Sequence, residues 1–275
     1  MAYFYSCFIV SFASLIFMRP VAEKIGLVDK PNYRKRHQGL IPLIGGIALF
    51  LGNLTFYFME WQDMRLPWLY LTAVTSLLII GVLDDRFDVS PFIRAVIQAT
   101  LAGLMIYNGL SLDSLGQVIA PFSIELGVLG IIFTVLVTIG VINAFNMVDG
   151  IDGLLAGLSS ASFAGIGVLM WLDEQYTLAY WCFAIIVVLI PYALFNLSVF
   201  GAKWKVFMGD SGSTLIGFTI IWILLLSTQG QGHTISPITG LWLIAVPLID
   251  MVAVIIRRLK RAKARFDRTA YTYII

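Results

Sequence analysis

Nine apolar stretches constrain this 275-residue chain more than anything else in it: 2–18, 40–59, 67–83, 93–110, 127–147, 154–172, 178–199, 213–228 and 236–256. A bilayer core about 30 Å thick takes roughly 17–25 apolar residues of helix, so each stretch is a candidate span. The expected fold is all-α, a polytopic integral membrane helix bundle of about nine transmembrane helices. Stretches 67–83 and 213–228 are short for a span, and 236–256 contains Pro247. Charged residues make up 12% of the chain, against about 25% in ordinary soluble domains, which excludes the soluble classes. Residues 1–18 hold no lysine or arginine and no small-residue cleavage site. They read as a first spanning helix rather than a removable signal. Cys7 and Cys182 both lie in apolar stretches, so neither a disulfide framework nor a paired-cysteine metal site is offered. No repeat or linker divides the chain, and one membrane domain over 1–275 is expected.

The placement of charge fixes an expected orientation. Of the 18 lysines and arginines, 17 fall in the segments 19–39, 84–94, 200–212 and 257–275, and only Arg65 falls on the other side. Cytoplasmic loops carry the excess of lysine and arginine, which predicts an external N-terminus and a cytoplasmic C-terminus. On the opposite side, Trp61, Trp68, Trp171, Tyr176, Tyr180 and Trp181 read as interfacial anchors. Gly153, Gly157, Ala161 and Gly165 recur every fourth residue, a spacing suited to close helix packing, within one molecule or between copies in a homo-oligomer.

Ten of the sixteen acids belong to the basic side, and segment 148–153 holds Asp149 and Asp152 with no cation. Three acidic clusters converge there: GVLDDRFDVS (81–90), NMVDGIDGL (146–154) and FMGDSGSTLIGF (207–218). Clustered carboxylates call for a cation, and Mg²⁺ suits them. It takes one or two carboxylates and completes its shell with water and substrate phosphate. Glycines beside Asp149, Asp152 and Asp210 allow tight turns and close backbone approach. The stretch Gly209–Ser213 opens a helix whose free N–H groups are expected to receive phosphate oxygens. The basic stretch DKPNYRKRHQG (29–39), with Lys30 and His37, suits a polyanion as well as being a topology signal. Carboxylates, a metal and a basic loop at one membrane face point to a nucleotide or diphosphate substrate meeting a membrane lipid, with no nucleic acid involved. Asp250, below that face, is balanced between a functional acid and a structural hydrogen bond near Pro247.

The stretches DKPNYRKRHQGLIPLIGG, LDDRFD, NAFNMVDGIDGL, KVFMGDSGSTLIGF and PLIDM together resemble the polyprenyl-phosphate N-acetylhexosamine-1-phosphate transferases. Their wording is nearest to the bacterial branch that handles N-acetylglucosamine, and the resemblance runs over roughly 19–268. It implies an Mg²⁺-dependent (or Mn²⁺-dependent) phosphoglycosyltransferase of the bacterial inner membrane. Such an enzyme moves GlcNAc-1-phosphate from UDP-N-acetylglucosamine to undecaprenyl phosphate and releases UMP, at the start of lipid-linked O-antigen or common-antigen synthesis. By the same resemblance Asp84 and Asp85 hold the metal or orient the lipid phosphate, and Asp149 and Asp152 serve the nucleotide-sugar site. Asp210 binds the metal, while Asn146, Asn196, Lys30 and His37 contact substrate.

The resemblance fails at one place. Where the family's last cytoplasmic loop carries histidines, this chain has Ala270, Tyr271, Thr272 and Tyr273. The expectation is therefore a chain lacking the family's histidine loop and last helices, with a catalytically impaired remnant as the alternative function. A secondary transporter is the remaining rival, since it too places acids in broken helices.

Overall fold

The computed structural model describes residues 2–29, 39–116, 124–229 and 235–272, with side chains described from Tyr3 to Lys260. The described residues form ten α-helices: α1 (Ala2–Ile25), α2 (Gly45–Met59), α3 (Pro67–Phe87), α4 (Pro91–Tyr107), α5 (Val128–Val148), α6 (Leu154–Leu172), α7 (Tyr176–Asn196), α8 (Gly209–Thr228), α9 (Pro237–Leu243) and α10 (Ala245–Thr272). Two short strands, β1 (Val28–Asp29) and β2 (Ile41–Pro42), pair antiparallel.

The all-α, multi-pass membrane bundle expected from the apolar stretches is present, with six to seven of the nine expected spans long and apolar enough to cross a membrane among the described residues. Six helices (α1, α3, α5, α6, α7 and α8) are long and apolar enough to cross a membrane, and α9 with α10, bent by 73°, makes a seventh as a pair. The 15-residue α2 and 17-residue α4 are shorter apolar helices. The stretch 40–59 loses its first residues because Leu43 bridges Phe207 in parallel, and the Gly45 N–H donates to the Phe207 carbonyl at 3.0 Å. In the last stretch the bend falls at Ile244 rather than at Pro247. Pro247 lies in the first turn of α10, where a backbone N–H has no partner in the helix to lose.

The bundle is built around α8. Of its most apolar eighteen residues 94% are buried, under α2, α3, α5, α6 and α9. Close packing at its first turn depends on glycine. A Cβ on Gly81 of α3 or on Gly46 of α2 would overlap the backbone of Ser211 or Gly212, so only hydrogen lets these helices meet. The helices α1 and α7 pack outside α2, and α4 and α10 pack against α5.

Two expectations about outer elements change. Trp181 is buried rather than interfacial, and its indole N–H donates to Asn53 at 2.8 Å. Asn53 in turn donates to the Tyr70 hydroxyl, which shares a hydrogen bond with Thr219. This polar chain ties α2, α3, α7 and α8 at the end away from the acids. The small-residue stripe on α6 packs only in part: Gly153 faces Leu197 and Gly165 faces Leu243, while Gly157 has nothing within 4 Å and Ala161 is exposed. Close contact between α6 and α7 instead runs through Gly167, set against Cys182 and Phe183.

Candidate active site

The first turn of α8 gathers aspartates from three helices. Gly209, with φ +77°, starts the helix in a conformation that side-chain-bearing residues rarely adopt. It lies directly against the Asp85 carboxylate. From α3, Asp85 accepts the Asp210 N–H at 2.7 Å, the Ser211 N–H at 3.3 Å and the Ser211 hydroxyl at 3.0 Å. A carboxylate at a helix N-terminus satisfies orphan N–H groups and complements the helix dipole. Asp85 therefore caps α8 from a different helix. The N–H groups expected to receive phosphate are held by a protein carboxylate instead.

Asp84, one residue earlier on α3, is buried. Its neighbour comes from a tight reversal. Asp88 takes a left-handed conformation (φ 55°) and closes α3 with its N–H on the Asp84 carbonyl. Ser90 then caps α4 ahead of Pro91, which brings Arg94 back beside Asp84. The Arg94 guanidinium bonds Asp84 and, through the same Nη1, Asp210 Oδ2 at 2.9 Å. The other Asp210 oxygen accepts from Asn146 Nδ2 at 2.7 Å, and Asn146 also donates to the Ser213 hydroxyl at 2.9 Å. Asp149, just past the end of α5, turns toward the Gly209 N–H. Burial pushes its carboxyl well above the usual range, and the charges of Asp210 and Asp85 add to the shift.

Asp152 lies at the edge of this group, near enough for its charge to act on Asp149. It is half-exposed and paired with Lys205, whose ammonium also lies 5.4 Å from the Phe207 ring centre. Asn196 is occupied by backbone: it accepts the Gly153 N–H at 2.7 Å and donates to the Val206 carbonyl at 3.0 Å. It thus joins the loop before α6 to the loop before α8. Asp250 lies outside the cluster, exposed and 4.0 Å from Arg257. Lys30 and His37 lie outside the described residues. Their segment is held at both ends, because β1 and β2 pair and the Phe207 N–H donates to the Pro42 carbonyl. The basic stretch thus leaves and rejoins the fold beside the loop that leads into α8.

Among the described residues, no three of histidine, cysteine, aspartate or glutamate are arranged as ligands for one metal ion. Asp85 is bonded to the α8 N-terminus, so of the expected metal aspartates Asp84, Asp85 and Asp210 it is the one already engaged by backbone N–H groups. Asp84 and Asp210 do fit. Both present a carboxylate oxygen to one point, now held by Arg94 Nη1, and Mg²⁺ usually takes only one or two carboxylates. The sequence reading missed Arg94, Lys205, Ser211 and Ser213. Arg94 and Lys205 had been absorbed into the count of topology charges, and a serine after an aspartate carries no signal of its own.

A family model, Glycosyl transferase family 4, matches residues 67–228, the span from the start of α3 to the end of α8. Relatives named undecaprenyl-phosphate alpha-N-acetylglucosaminyl 1-phosphate transferase match most of the chain. That of Haemophilus influenzae is 64% identical over 261 residues, 94% of this chain and 74% of the relative. That of Pasteurella multocida is also 64% identical over 94% of this chain and 73% of its own length. The Escherichia coli K12 protein is 52% identical over 264 residues, 95% of this chain and 72% of the relative.

Proposed function

The chain belongs to the glycosyl transferase family 4, and on that footing we propose that it transfers GlcNAc-1-phosphate from UDP-N-acetylglucosamine to undecaprenyl phosphate, releasing UMP. The observation that carries this reading is the 64% identity over 94% of the chain to enzymes of that name. The gathering of Asp84, Asp85, Asp149 and Asp210 at one end of a membrane bundle supports it, since a membrane-bound lipid phosphate has to meet a soluble nucleotide at the bilayer surface. The split of basic residues supports a cytoplasmic site in the bacterial inner membrane.

The reaction exchanges one phosphoanhydride for another. An oxygen of the lipid phosphate forms a bond to the phosphorus that carries GlcNAc, and the bond from that phosphorus to the UMP oxygen breaks. UMP leaves with the bonding electrons. A phosphomonoester has a second pKa of about 6, so the attacking group is already mostly dianionic at neutral pH and needs no strong base. Direct attack follows, with no phospho-aspartyl intermediate. Asp84 and Asp210 would hold Mg²⁺, which when bound supplies charge neutralisation to the diphosphate. Asn146 fixes the Asp210 carboxylate through one oxygen and leaves the other facing the site. Asp85 holds α8 in place. Asp149 stands at the same end, its carboxyl raised above the usual range by burial and by the charges of Asp210 and Asp85. Lys205, paired with Asp152, offers a cation at the same end.

The test uses the purified chain in detergent with labelled UDP-N-acetylglucosamine and undecaprenyl phosphate. Label should enter the lipid phase with an equal release of UMP, and both should require the lipid and a divalent metal. UMP release without lipid acceptor, or transfer that persists in excess chelator, would overturn the reading.

A further inference from the structure

Arg94 holds two carboxylates from two different helices with a single nitrogen. Its Nη1 bonds Asp84 and lies 2.9 Å from Asp210 Oδ2. The Asp84 side chain is 4% exposed, that of Arg94 28% and that of Asp210 35%, so Asp84 is largely shut off from water while Arg94 and Asp210 both reach the open side. Removing one partner from a buried ion pair leaves an uncompensated charge and is strongly destabilising. Buried Asp84 beside Asp210 is costly to leave as an uncompensated charge, and Arg94 offsets that charge in the ion-free protein. A divalent ion with short bonds to oxygen would need the place that Nη1 now fills. Both cannot occupy it together.

We propose that Arg94 is a built-in stand-in cation, which holds Asp84 and Asp210 together in the ion-free protein and swings out when a divalent ion takes its place. Arg94 is a positioning residue in this account, acting through the two carboxylates. It stands in the first turn of α4 on a long side chain with an open side, so the guanidinium can leave without moving the helix. Once displaced, its planar fork of donors is free to face phosphate oxygens at the same mouth. Ion binding and the release of a phosphate-binding arginine then become one event. The inference rests on the proposed reading of this site as one that takes a divalent ion with a diphosphate.

Mn²⁺ binding to the purified, substrate-free chain, followed by electron paramagnetic resonance of the free ion, tests it without recourse to turnover. Because the guanidinium competes with the ion, Arg94→Gln should bind Mn²⁺ about tenfold more tightly than the parent chain, a size common for coupled sites. Arg94→Lys, which keeps a charge on a different head group, should fall between them and guards against a glutamine variant that fails to fold. Adding Asp210→Asn to Arg94→Gln should abolish the tight site, which locates the ion. Unchanged or weaker Mn²⁺ binding in both Arg94 variants would overturn the proposal, as would tight binding that survives loss of Asp210. An ion that binds as described to a chain showing no transfer would sink the proposed reaction and leave this inference standing.

Discussion

Asp149 and Asp85 show how little a residue's type reveals of its task. Both are aspartates beside apolar helices, and both read from the sequence as site acids. In the structure Asp85 is spent on the N–H groups that open α8, while Asp149 sits partly buried among other acids with its carboxyl pushed up. The sign of the second effect is checkable. A carboxyl whose folded pKa lies above its unfolded value lends stability below the ordinary carboxylate range. That contribution is lost as pH rises through the raised value. The ion-free chain should therefore melt lower at about pH 8 than Asp149→Asn does, and the gap should close toward about pH 4, where the parent carboxyl also becomes neutral. The same variant should transfer less sugar phosphate, since acids that destabilise a fold are commonly retained for activity. Scanning fluorimetry in chelator across that range reads the stability half, and an Asp149→Asn protein that melts lower than its parent at high pH would sink it. Neither role was legible beforehand. A carboxylate's partners are set by which helix end comes to lie against it, and no local pattern encodes that.

Among the elements, α8 was the one least well read. Its apolar stretch looked short, beginning at 213, because Gly209, Asp210, Ser211 and Gly212 carry little hydropathy. Those four residues are the first turn of the most enclosed helix in the molecule. Their small size is what permits contact with Gly46 and Gly81. Gly81→Ala should therefore lower stability by about 1–3 kcal/mol, the usual result of forcing atoms into a packed contact. Gly157→Ala, at a position with nothing within 4 Å, should be neutral or stabilising by up to about 1 kcal/mol through helix propensity alone. Equal melting temperatures for the two variants would remove close packing as the reason for Gly81. The α6 stripe illustrates the converse. Four small residues at regular spacing read as a packing face, yet Gly157 has nothing within 4 Å and Ala161 is exposed.

For the whole molecule, the division of charge remains the feature with the widest reach. The loop from α3 to α4, the loop into α8 and the paired strands β1 and β2 all lie at the end that holds the acids. Arg19 bonds the Lys205 carbonyl and lies over Trp204, Lys205 pairs Asp152, and Arg94 pairs Asp84 and Asp210. On the proposed orientation, which puts this end in the cytoplasm, alkaline phosphatase fused after residue 113 or 174 should be active, and a fluorescent protein fused after residue 88 or 205 should glow. Active phosphatase at 205 would invert the molecule and put the acids on the far side from any cytoplasmic nucleotide.

The sequence by itself determined the membrane class, the helical architecture, the end at which the charges collect and the three acidic segments that meet there. These follow from hydropathy, helix length and charge placement, which are local quantities and can be read one stretch at a time. Only the tertiary structure decided which of those acids is a helix cap, which is paired and which is crowded. It also placed Arg94 between Asp84 and Asp210, paired Asp152 with Lys205 and set Asn196 on the backbone of Gly153 and Val206. The bonds concerned join residues 116 apart for Arg94 and Asp210, 126 apart for Asp85 and Ser211, and 64 apart for Asn146 and Asp210. Such partners are chosen by the order in which helices surround α8. That order is set by the packing of whole faces and by the few glycines that let backbones touch.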